Sequence, residues 1–290
     1  IDYSNGGILF KKTPDELRDI IETCKKYGIV CSGGSSLFTR SSDEIEKIVE
    51  VCEKYGINYK NGGTVFKRKA SEIVKIIEIC KKYNISYSDG GVVFTSPPRE
   101  MQRLVNTCIK HGINLNTSYI YERSADEIEK IVELCQKYDV DYTRGNGLFE
   151  RCSYDLEDIF KACIDAGIDY KNSSTVYRRK GHEIRELVEV CKECGINYKD
   201  GGLLFRRKAD EIRDIALVCE KYGISYKNGG TIFMRTAKDI EDIALFCHDN
   251  GINYKDGGSI FRKSVDDLRE LVDVCRRYGI NYQDGGTIYN

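Results

Sequence analysis

Residues 264–279 read SVDDLRELVDVCRRYG, and variants of this stretch recur along the chain. Within it, Leu268, Leu271, Val272 and Cys275 stand at i, i+3, i+4 and i+7. This spacing places four apolar side chains on one face of an α-helix. The same positions in the first copy are occupied by Leu17, Ile20, Ile21 and Cys24. The stretch therefore predicts an amphipathic helix that recurs in every unit of a repetitive fold.

The repeat is 28 residues long, and residues 251–278 give one complete copy, GINYKDGGSIFRKSVDDLRELVDVCRRY. Its aromatic anchors are Phe10, Phe38, Phe66, Phe94, Tyr121, Phe149, Tyr177, Phe205, Phe233, Phe261 and Tyr289. Its cysteines are Cys24, Cys52, Cys80, Cys108, Cys135, Cys163, Cys191, Cys219, Cys247 and Cys275. One step in each series is 27 residues, so one residue is missing from the loop at 113–121. No linker interrupts the series, and we expect a single elongated repeat domain over 1–290.

The predicted long helix has recognisable ends. Its start resembles a capping box, in which Ser or Thr stands three residues before an acid. The pairs are Thr13/Glu16, Ser41/Glu44, Ser124/Glu127, Thr236/Asp239 and Ser264/Asp267. Pro14 and Pro98 are expected at the first helical position, where proline suits a helix. Glycine marks the end in eight repeats, and Asn84 and Asp139 replace it in the other two, because all three residue types tolerate left-handed backbone.

The remainder of each repeat, such as YKDGGLLFRR at 198–207, supports two interpretations. Asp-Gly between apolar runs is typical of a β-hairpin, which would make each unit ββα and the array an α/β solenoid. The alternative is a short helix capped by the first glycine, because Thr117 and Ser173, which replace this glycine, are good N-caps. We favour the helix. The predicted fold is an all-α α-solenoid of about ten repeats, each a short helix or turn followed by a long helix.

Composition excludes several classes of protein. Lys plus Arg number 45 and Asp plus Glu number 46, which argues against a uniformly basic protein that coats nucleic acid. No apolar run approaches the ~18 residues of a membrane helix, and no membrane partner is expected. Ten of the thirteen cysteines recur at one core position, where neighbours ~8–10 Å apart are too distant for a disulfide. We expect buried free thiols, which imply a reducing compartment, the cytoplasm or the nucleus.

Residues that could carry catalysis or bind a metal are sparse. His111, His182 and His248 lie in different repeats, and no motif of a serine hydrolase, zinc protease or P-loop occurs. Cys191 and Cys194 form a CxxC without a second CxxC, so a zinc site is not expected. The recurrent GG pairs lack the Lys-Ser/Thr of a P-loop, and turn or cap geometry explains them better. The sequence therefore predicts no enzyme, no catalytic residue, no cofactor and no metal.

Comparison of the repeats with one another separates constant from variable surface positions. Two residues after the aromatic anchor, nine of ten repeats carry a basic residue, and the tenth carries Ser96. This basic row consists of Lys12, Arg40, Arg68, Arg123, Arg151, Arg179, Arg207, Arg235 and Lys263. The residues before these positions form a variable row of Lys11, Thr39, Lys67, Thr95, Glu122, Glu150, Arg178, Arg206, Met234 and Arg262. The turns before the short segment also vary, at 5–7, 33–35, 116–118, 144–146 and 172–174.

The two rows support a functional and a structural interpretation. In a modular nucleic-acid reader, the constant charges would bind phosphates and the variable side chains would meet bases. Alternatively, basic residues that end a short helix satisfy its dipole, and exposed loop residues vary freely.

The end of the long helix, VCEKYGIN at 51–58 and VCRRYGIN at 274–281, resembles the same part of TAL-effector-like DNA-binding repeats, where a Cys also stands four residues before a Gly. The start TPDEL at 13–17 is similar to the S/T-P-E-E-like start of helical repeats in mitochondrial transcription-termination-type proteins. Both families are helical solenoids that wrap nucleic acid, and the resemblance implies the same fold and partner class. The TAL-effector-like unit carries its base-reading pair between its helices. Arg206-Arg207 is the nearest match here, and no pair code transfers to it.

These observations predict a non-enzymatic repeat protein that binds DNA or RNA through the basic row, with the variable row setting specificity. Glu122 and Glu150 fit poorly beside phosphates and count against this interpretation. The alternative is a protein–protein interaction scaffold that holds a peptide or a partner domain. Tyrosines at the end of the long helix, such as Tyr55 and Tyr222, could line a groove, although we favour a packing role for them.

Overall fold

The structure is a computed structural model that describes residues 11–31, 36–143, 147–171, 175–284 and 286–289. The described residues form ten α-helices and ten short 3-10 helices, and they contain no β-strand. The predicted all-α fold, with a short and a long helix in each repeat, is confirmed, and the ββα alternative is wrong for the described turns. The variable turns at 5–7, 33–35, 144–146 and 172–174, and with them Ser173, lie outside the described residues.

The long helices are α1 (Pro14–Tyr27), α2 (Ser42–Tyr55), α3 (Ala70–Tyr83), α4 (Pro98–Lys110), α5 (Ala125–Lys137), α6 (Ser153–Ala166), α7 (Gly181–Glu193), α8 (Ala209–Tyr222), α9 (Ala237–Asp249) and α10 (Val265–Tyr278). The short helices span Leu37–Thr39, Thr64–Lys67, Val92–Phe94, Ser118–Glu122, Leu148–Glu150, Val176–Arg178, Leu203–Arg206, Thr231–Met234, Ser259–Arg262 and Gly286–Tyr289.

The predicted ends of the long helices are confirmed. A side-chain oxygen accepts a hydrogen bond of 3.1–3.3 Å from the main-chain N–H three residues later at Thr13, Ser41, Ser124, Thr236 and Ser264. The closing residue is left-handed, with φ of 67° at Gly56, 54° at Asn84 and 55° at Asp139. The next residue then donates its N–H back to the repeat cysteine, as Ile57 does to the carbonyl of Cys52 at 2.8 Å. These bonds satisfy carbonyls that the helix end would leave without a partner.

The short helix differs in detail from the expectation. It is a 3-10 helix of three to five residues. Its N-cap is the second glycine of the GG pair at Gly63 and Gly91, rather than the first. Thr117, which replaces the first glycine, is the N-cap of its short helix, as expected. The first glycine forms the turn instead. Gly90 has φ of 68°, and a Cβ on it would lie 2.0 Å from the carbonyl oxygen of Asn58 in the preceding repeat. The GG pair therefore lets the turns of neighbouring repeats approach closely. This packing explains the glycines without a bound phosphate.

The core lies between a layer of long helices and a layer of short helices. In α3, the predicted stripe of Ile73, Ile76, Ile77 and Cys80 is at most 1% exposed. The short helices bury their apolar pair against it, and Phe66 is 0% exposed. Each repeat has only one such apolar stripe, so a single repeat must stack on its neighbours to exclude water from the stripe.

Contacts divide the chain into two compact units, unit 1 (Ile1–Cys152) and unit 2 (Ser153–Asn290). In unit 1, α1 to α5 pack against one another in chain order. In unit 2, α6 to α10 do the same. Within each unit, short helices also contact the short helices of neighbouring repeats. Each unit is therefore a solenoid-like stack of repeats.

Main-chain hydrogen bonds fix the register between successive turns. The N–H of Asn58 donates to the carbonyl of Ser88 at 2.8 Å in unit 1. In unit 2, the N–H of Asn197 donates to Lys227 and that of Ser225 to Lys255, both at 2.7 Å. Because these bonds repeat at one-repeat spacing, equivalent residues of neighbouring repeats stand in rows.

Candidate nucleic-acid interface

Arginines of the basic row bind the main chain of the next repeat. The Nε of Arg123 donates to the carbonyl of Phe149 at 2.9 Å, and its Nη2 donates to the carbonyl of Glu150 at 2.6 Å. Both carbonyls lie at the end of the following short helix, where they have no partner within the helix. The same Nε bond, at 2.7–3.0 Å, is made by Arg40, Arg68, Arg179, Arg207 and Arg235. We call each of these six contacts an arginine clamp.

The clamps leave little of the guanidinium group in solvent. The side chains of Arg179 and Arg207 are 14% and 17% exposed, and each Nη1 lies 3.7 Å from the carboxylate of Glu183 or Glu211. These contacts agree with the structural interpretation of the basic row, because the arginines donate to carbonyls at the end of a short helix. The helix, however, belongs to the next repeat. Arginine suits this role because its planar fork donates to two oxygens at once.

The other positions of the basic row vary. The Nζ of Lys12 lies 3.8 Å from Glu16, and the lysine side chain is 20% exposed. Arg151 and Lys263 are half-buried at the ends of their short helices. Ser96 is too short to reach the carbonyls of the following repeat, so the joint between α4 and α5 lacks a clamp.

The variable row presents its side chains to solvent. Exposed members are Lys11, Thr39, Lys67, Glu122, Arg178, Arg206, Met234 and Arg262, and half-buried members are Thr95 and Glu150. Met234 is 54% exposed although it is apolar. Carbonyls of this row accept the second bond of the clamp, as Glu150 and Arg262 show. The variable row therefore combines a main chain held by the clamps with side chains that are mostly exposed.

Unit 2 carries two further exposed basic rows. One lies in the turn after the long helix and consists of Lys171, Lys199, Lys227 and Lys255. The other follows the basic row and consists of Lys180 and Lys208. Together with Arg178, Arg206 and Arg262, these residues define the short-helix face of unit 2. The sequence comparison missed the turn lysines, although their 28-residue spacing was visible.

Acids on the short-helix face are few. Asp200 and Asp256 lie beside the turn lysines, and Asp256 accepts a hydrogen bond from the N–H of Gly258 at 3.1 Å. Among the described residues, Lys199, Lys227 and Lys255 form no ion pair. The ammonium groups of these three lysines are therefore not held in an ion pair with a carboxylate of the described chain.

The long helices of unit 2 carry the opposite charge. One surface position of α6 to α10 is acidic in every repeat, as Asp158, Glu186, Asp214, Asp242 and Glu270. Asp158 is half-buried and paired with Arg185 at 3.0 Å, and the others are exposed. Unit 2 therefore separates positive from negative charge, a property that a net charge of −1 for the whole chain conceals.

Unit 1 has a different pattern. The position that is acidic in unit 2 is basic in α2 to α5, as Lys47, Lys75, Arg103 and Lys130, all exposed. On its short-helix side, Glu122 and Glu150 interrupt the basic residues. Exposed lysines therefore recur in the turns of unit 2, whereas unit 1 carries acids in its variable row.

The cysteines and histidines do not form a candidate metal site within the described residues. All thirteen cysteines are free, the ten at the repeat position are buried, and burial raises the pKa of Cys135 to about 12. His111 lies 2.7 Å from a carboxylate oxygen of Glu129, while His182 and His248 are exposed. No group of three or more His, Cys, Asp or Glu residues within the described ranges could hold a metal ion.

The tyrosines at the ends of the long helices pack beneath lysines. The Nζ of Lys26 lies 4.8 Å from the ring centre of Tyr27, and Lys54 and Lys137 cover Tyr55 and Tyr138 in the same way. A lysine over the ring face is attracted by the ring quadrupole. The cation covers the face on which a base would stack, which supports the packing role.

No helix within the described ranges has both the length and the hydropathy needed to cross a membrane. No family model matches the chain, and no curated protein and no solved structure matches it either.

Proposed function

We propose that the chain is a non-enzymatic repeat protein that binds nucleic acid through the short-helix face of unit 2. One observation carries the proposal: exposed basic side chains recur on this face, while the long helices of the same unit carry acids. Rows of Lys and Arg attract a polyphosphate backbone by releasing its counterions. Acids on the long-helix side disfavour binding there, so the charge pattern also orients the ligand.

The three kinds of row have different roles in this proposal. Lys199, Lys227 and Lys255 bind phosphates, because their side chains are exposed and have no ion pair among the described residues. Variable-row residues such as Arg206 and Met234 follow the turn lysines by seven residues in the same repeats, are exposed, and meet bases. The arginine clamps act indirectly, because they hold neighbouring short helices at a fixed separation. DNA and RNA share the phosphate chemistry, and the assay below separates them.

The buried free thiols support a reducing compartment, the cytoplasm or the nucleus, as the site of this function. A second function, as a protein-interaction scaffold, is supported by a separate observation, two exposed leucines on the long helices of unit 2, Leu217 and Leu245.

The test is fluorescence anisotropy of labelled random-sequence duplex DNA and single-stranded RNA with the full chain, from about 50 to about 300 mM salt. For at least one of them, we expect the logarithm of the binding constant to fall linearly with the logarithm of the salt concentration. The slope should correspond to several phosphate contacts. The variant Lys199→Gln/Lys227→Gln/Lys255→Gln should reduce the slope by about 2 to 3, since each lost phosphate contact removes about 0.9 for duplex DNA or 0.7 for a single strand.

A matched control makes the result specific to the face. Lys47→Gln/Lys75→Gln/Lys130→Gln alters three exposed lysines on the long helices of unit 1 and changes the net charge equally. It should leave the slope within experimental error of the parent chain. Absence of salt-dependent binding to either nucleic acid, or an equal loss in both variants, overturns the proposal.

A further inference from the structure

Two exposed leucines break the polar pattern of the long helices. Leu217 on α8 is 59% exposed and Leu245 on α9 is 45% exposed. They occupy the same repeat position on helices that pack side by side in unit 2. The other eight repeats carry only polar residues there, namely Glu22, Glu50, Glu78, Asn106, Glu133, Lys161, Glu189 and Asp273. The pair is therefore a local departure from the repeat rather than a feature of its packing.

Acids surround the leucine pair. Asp214 and Asp242 stand three residues before Leu217 and Leu245 on the same helices, and both are exposed. Glu189 on α7 and Asp273 on α10 extend the row of the leucines on either side, also exposed. Among the described residues, these four carboxylates form no ion pair.

The cations closest in sequence to Leu217 are paired with carboxylates. Arg213 is paired with Glu193 at 2.9 Å, and Lys221 is paired with Glu241 at 2.7 Å. Three exposed cations without an ion pair among the described residues stand one turn from these acids: Lys238 before Asp242, Lys192 after Glu189 and Arg276 after Asp273. Within four residues of either leucine, however, the only Lys or Arg are the paired Arg213 and Lys221. The surface at the leucines therefore combines an apolar centre with the unpaired carboxylates of Asp214 and Asp242. A partner that fits it must supply apolar side chains flanked by positive charge.

We infer that Leu217 and Leu245 form a docking surface for a basic amphipathic helix of a partner protein. Packed α-helices lie ~8–10 Å apart, and this distance sets the separation between Leu217 on α8 and Leu245 on α9. Residues i and i+7 of a helix are ~10.5 Å apart, so a helix lying across α8 and α9 can place one apolar side chain over each leucine. Lysines or arginines on its flanks then face Asp214, Asp242, Glu189 and Asp273. A second copy of the chain fits less well, because the same acids would face one another.

The probe for this surface is a fluorescein-labelled synthetic helix with Leu at every third or fourth position and Lys and Ala elsewhere. We expect saturable binding to the full chain, measured by anisotropy at moderate salt. Leu217→Gln/Leu245→Gln should weaken it by about tenfold or more, because two leucines lose apolar burial. Asp214→Asn/Asp242→Asn should weaken it to a similar extent and reduce its salt dependence.

Control variants separate docking from general attraction between a cationic peptide and an acidic surface. Ile109→Gln/Ile164→Gln removes two apolar residues of comparable exposure, 50% and 49%, at a different repeat position and should leave the affinity unchanged. The inference is overturned if the leucine variant binds as tightly as the parent chain. It is also overturned if sedimentation shows that the leucines mediate self-association. Neither result depends on nucleic-acid binding.

Discussion

Arg123→Met tests the arginine clamp, because methionine keeps much of the apolar stem and removes every donor. Arg123 donates to two carbonyls, at 2.9 Å to Phe149 and 2.6 Å to Glu150. A hydrogen bond from a charged donor contributes about 1.5–3 kcal/mol. The side chain is half-buried, so water can partly replace the lost donors, and the lower end of that range applies to each bond. We expect a loss of about 2–3 kcal/mol in the free energy of unfolding.

Urea unfolding followed by far-ultraviolet circular dichroism measures this loss as a lower midpoint. In a stack of repeats the clamp contributes to the interface between neighbours, so the transition should also broaden. Lys130→Met is the matched control, because Lys130 is an exposed residue of the same repeat that carries no clamp. A change of less than about 0.5 kcal/mol for Arg123→Met, equal to that of the control, would refute the clamp as a source of stability.

Four further predictions concern stability. Ser96→Arg supplies the missing clamp between α4 and α5 and should raise the free energy of unfolding by about 1 kcal/mol; an unchanged urea midpoint would contradict this. Gly56→Ala should cost about 1–2 kcal/mol, the strain of left-handed backbone alone, because a Cβ there meets nothing within 4 Å. Gly90 has nearly the same φ as Gly56, but a Cβ at Gly90 would lie 2.0 Å from the carbonyl oxygen of Asn58. Gly90→Ala should therefore cost at least about 2 kcal/mol more than Gly56→Ala. Equal losses in the two variants would show that the turns of neighbouring repeats do not approach this closely. Burial raises the pKa of thiols such as Cys52 and Cys135 to about 12, so the native state keeps protons that the same thiols lose above about pH 8.5 in the unfolded state. Stability should therefore fall as the pH rises, and the urea midpoint should be lower at pH 10 than at pH 8. A midpoint that stays constant between these pH values would contradict this prediction.

The long helix was predictable because its determinants are local. The stripe that ends at Cys275, the caps at Ser264 and Thr13, and the left-handed residues Asn84 and Asp139 all act within one helix. Periodicity and capping chemistry specify such features without knowledge of the neighbours. The short helix was harder, because Gly90 owes its role to a carbonyl in the preceding repeat.

The basic row shows where sequence comparison within one chain reaches its limit. A constant arginine beside a variable residue fits a phosphate contact and an inter-repeat clamp equally well. What separates them is the position of Phe149 O and Glu150 O near Arg123, which only the stacked structure reveals. One signal did favour the clamp: seven of the nine basic residues are Arg rather than Lys, as expected for a fork that donates to two oxygens.

The most direct test of nucleic-acid binding at the short-helix face is lysine footprinting. The full chain is acetylated briefly with and without the tighter-binding nucleic acid, and modification at each lysine is quantified by mass spectrometry. We expect Lys199, Lys227 and Lys255 to be protected in the complex, while Lys47, Lys75 and Lys130 react as they do in the unbound chain. Equal reactivity of the first three lysines with and without nucleic acid would contradict the account.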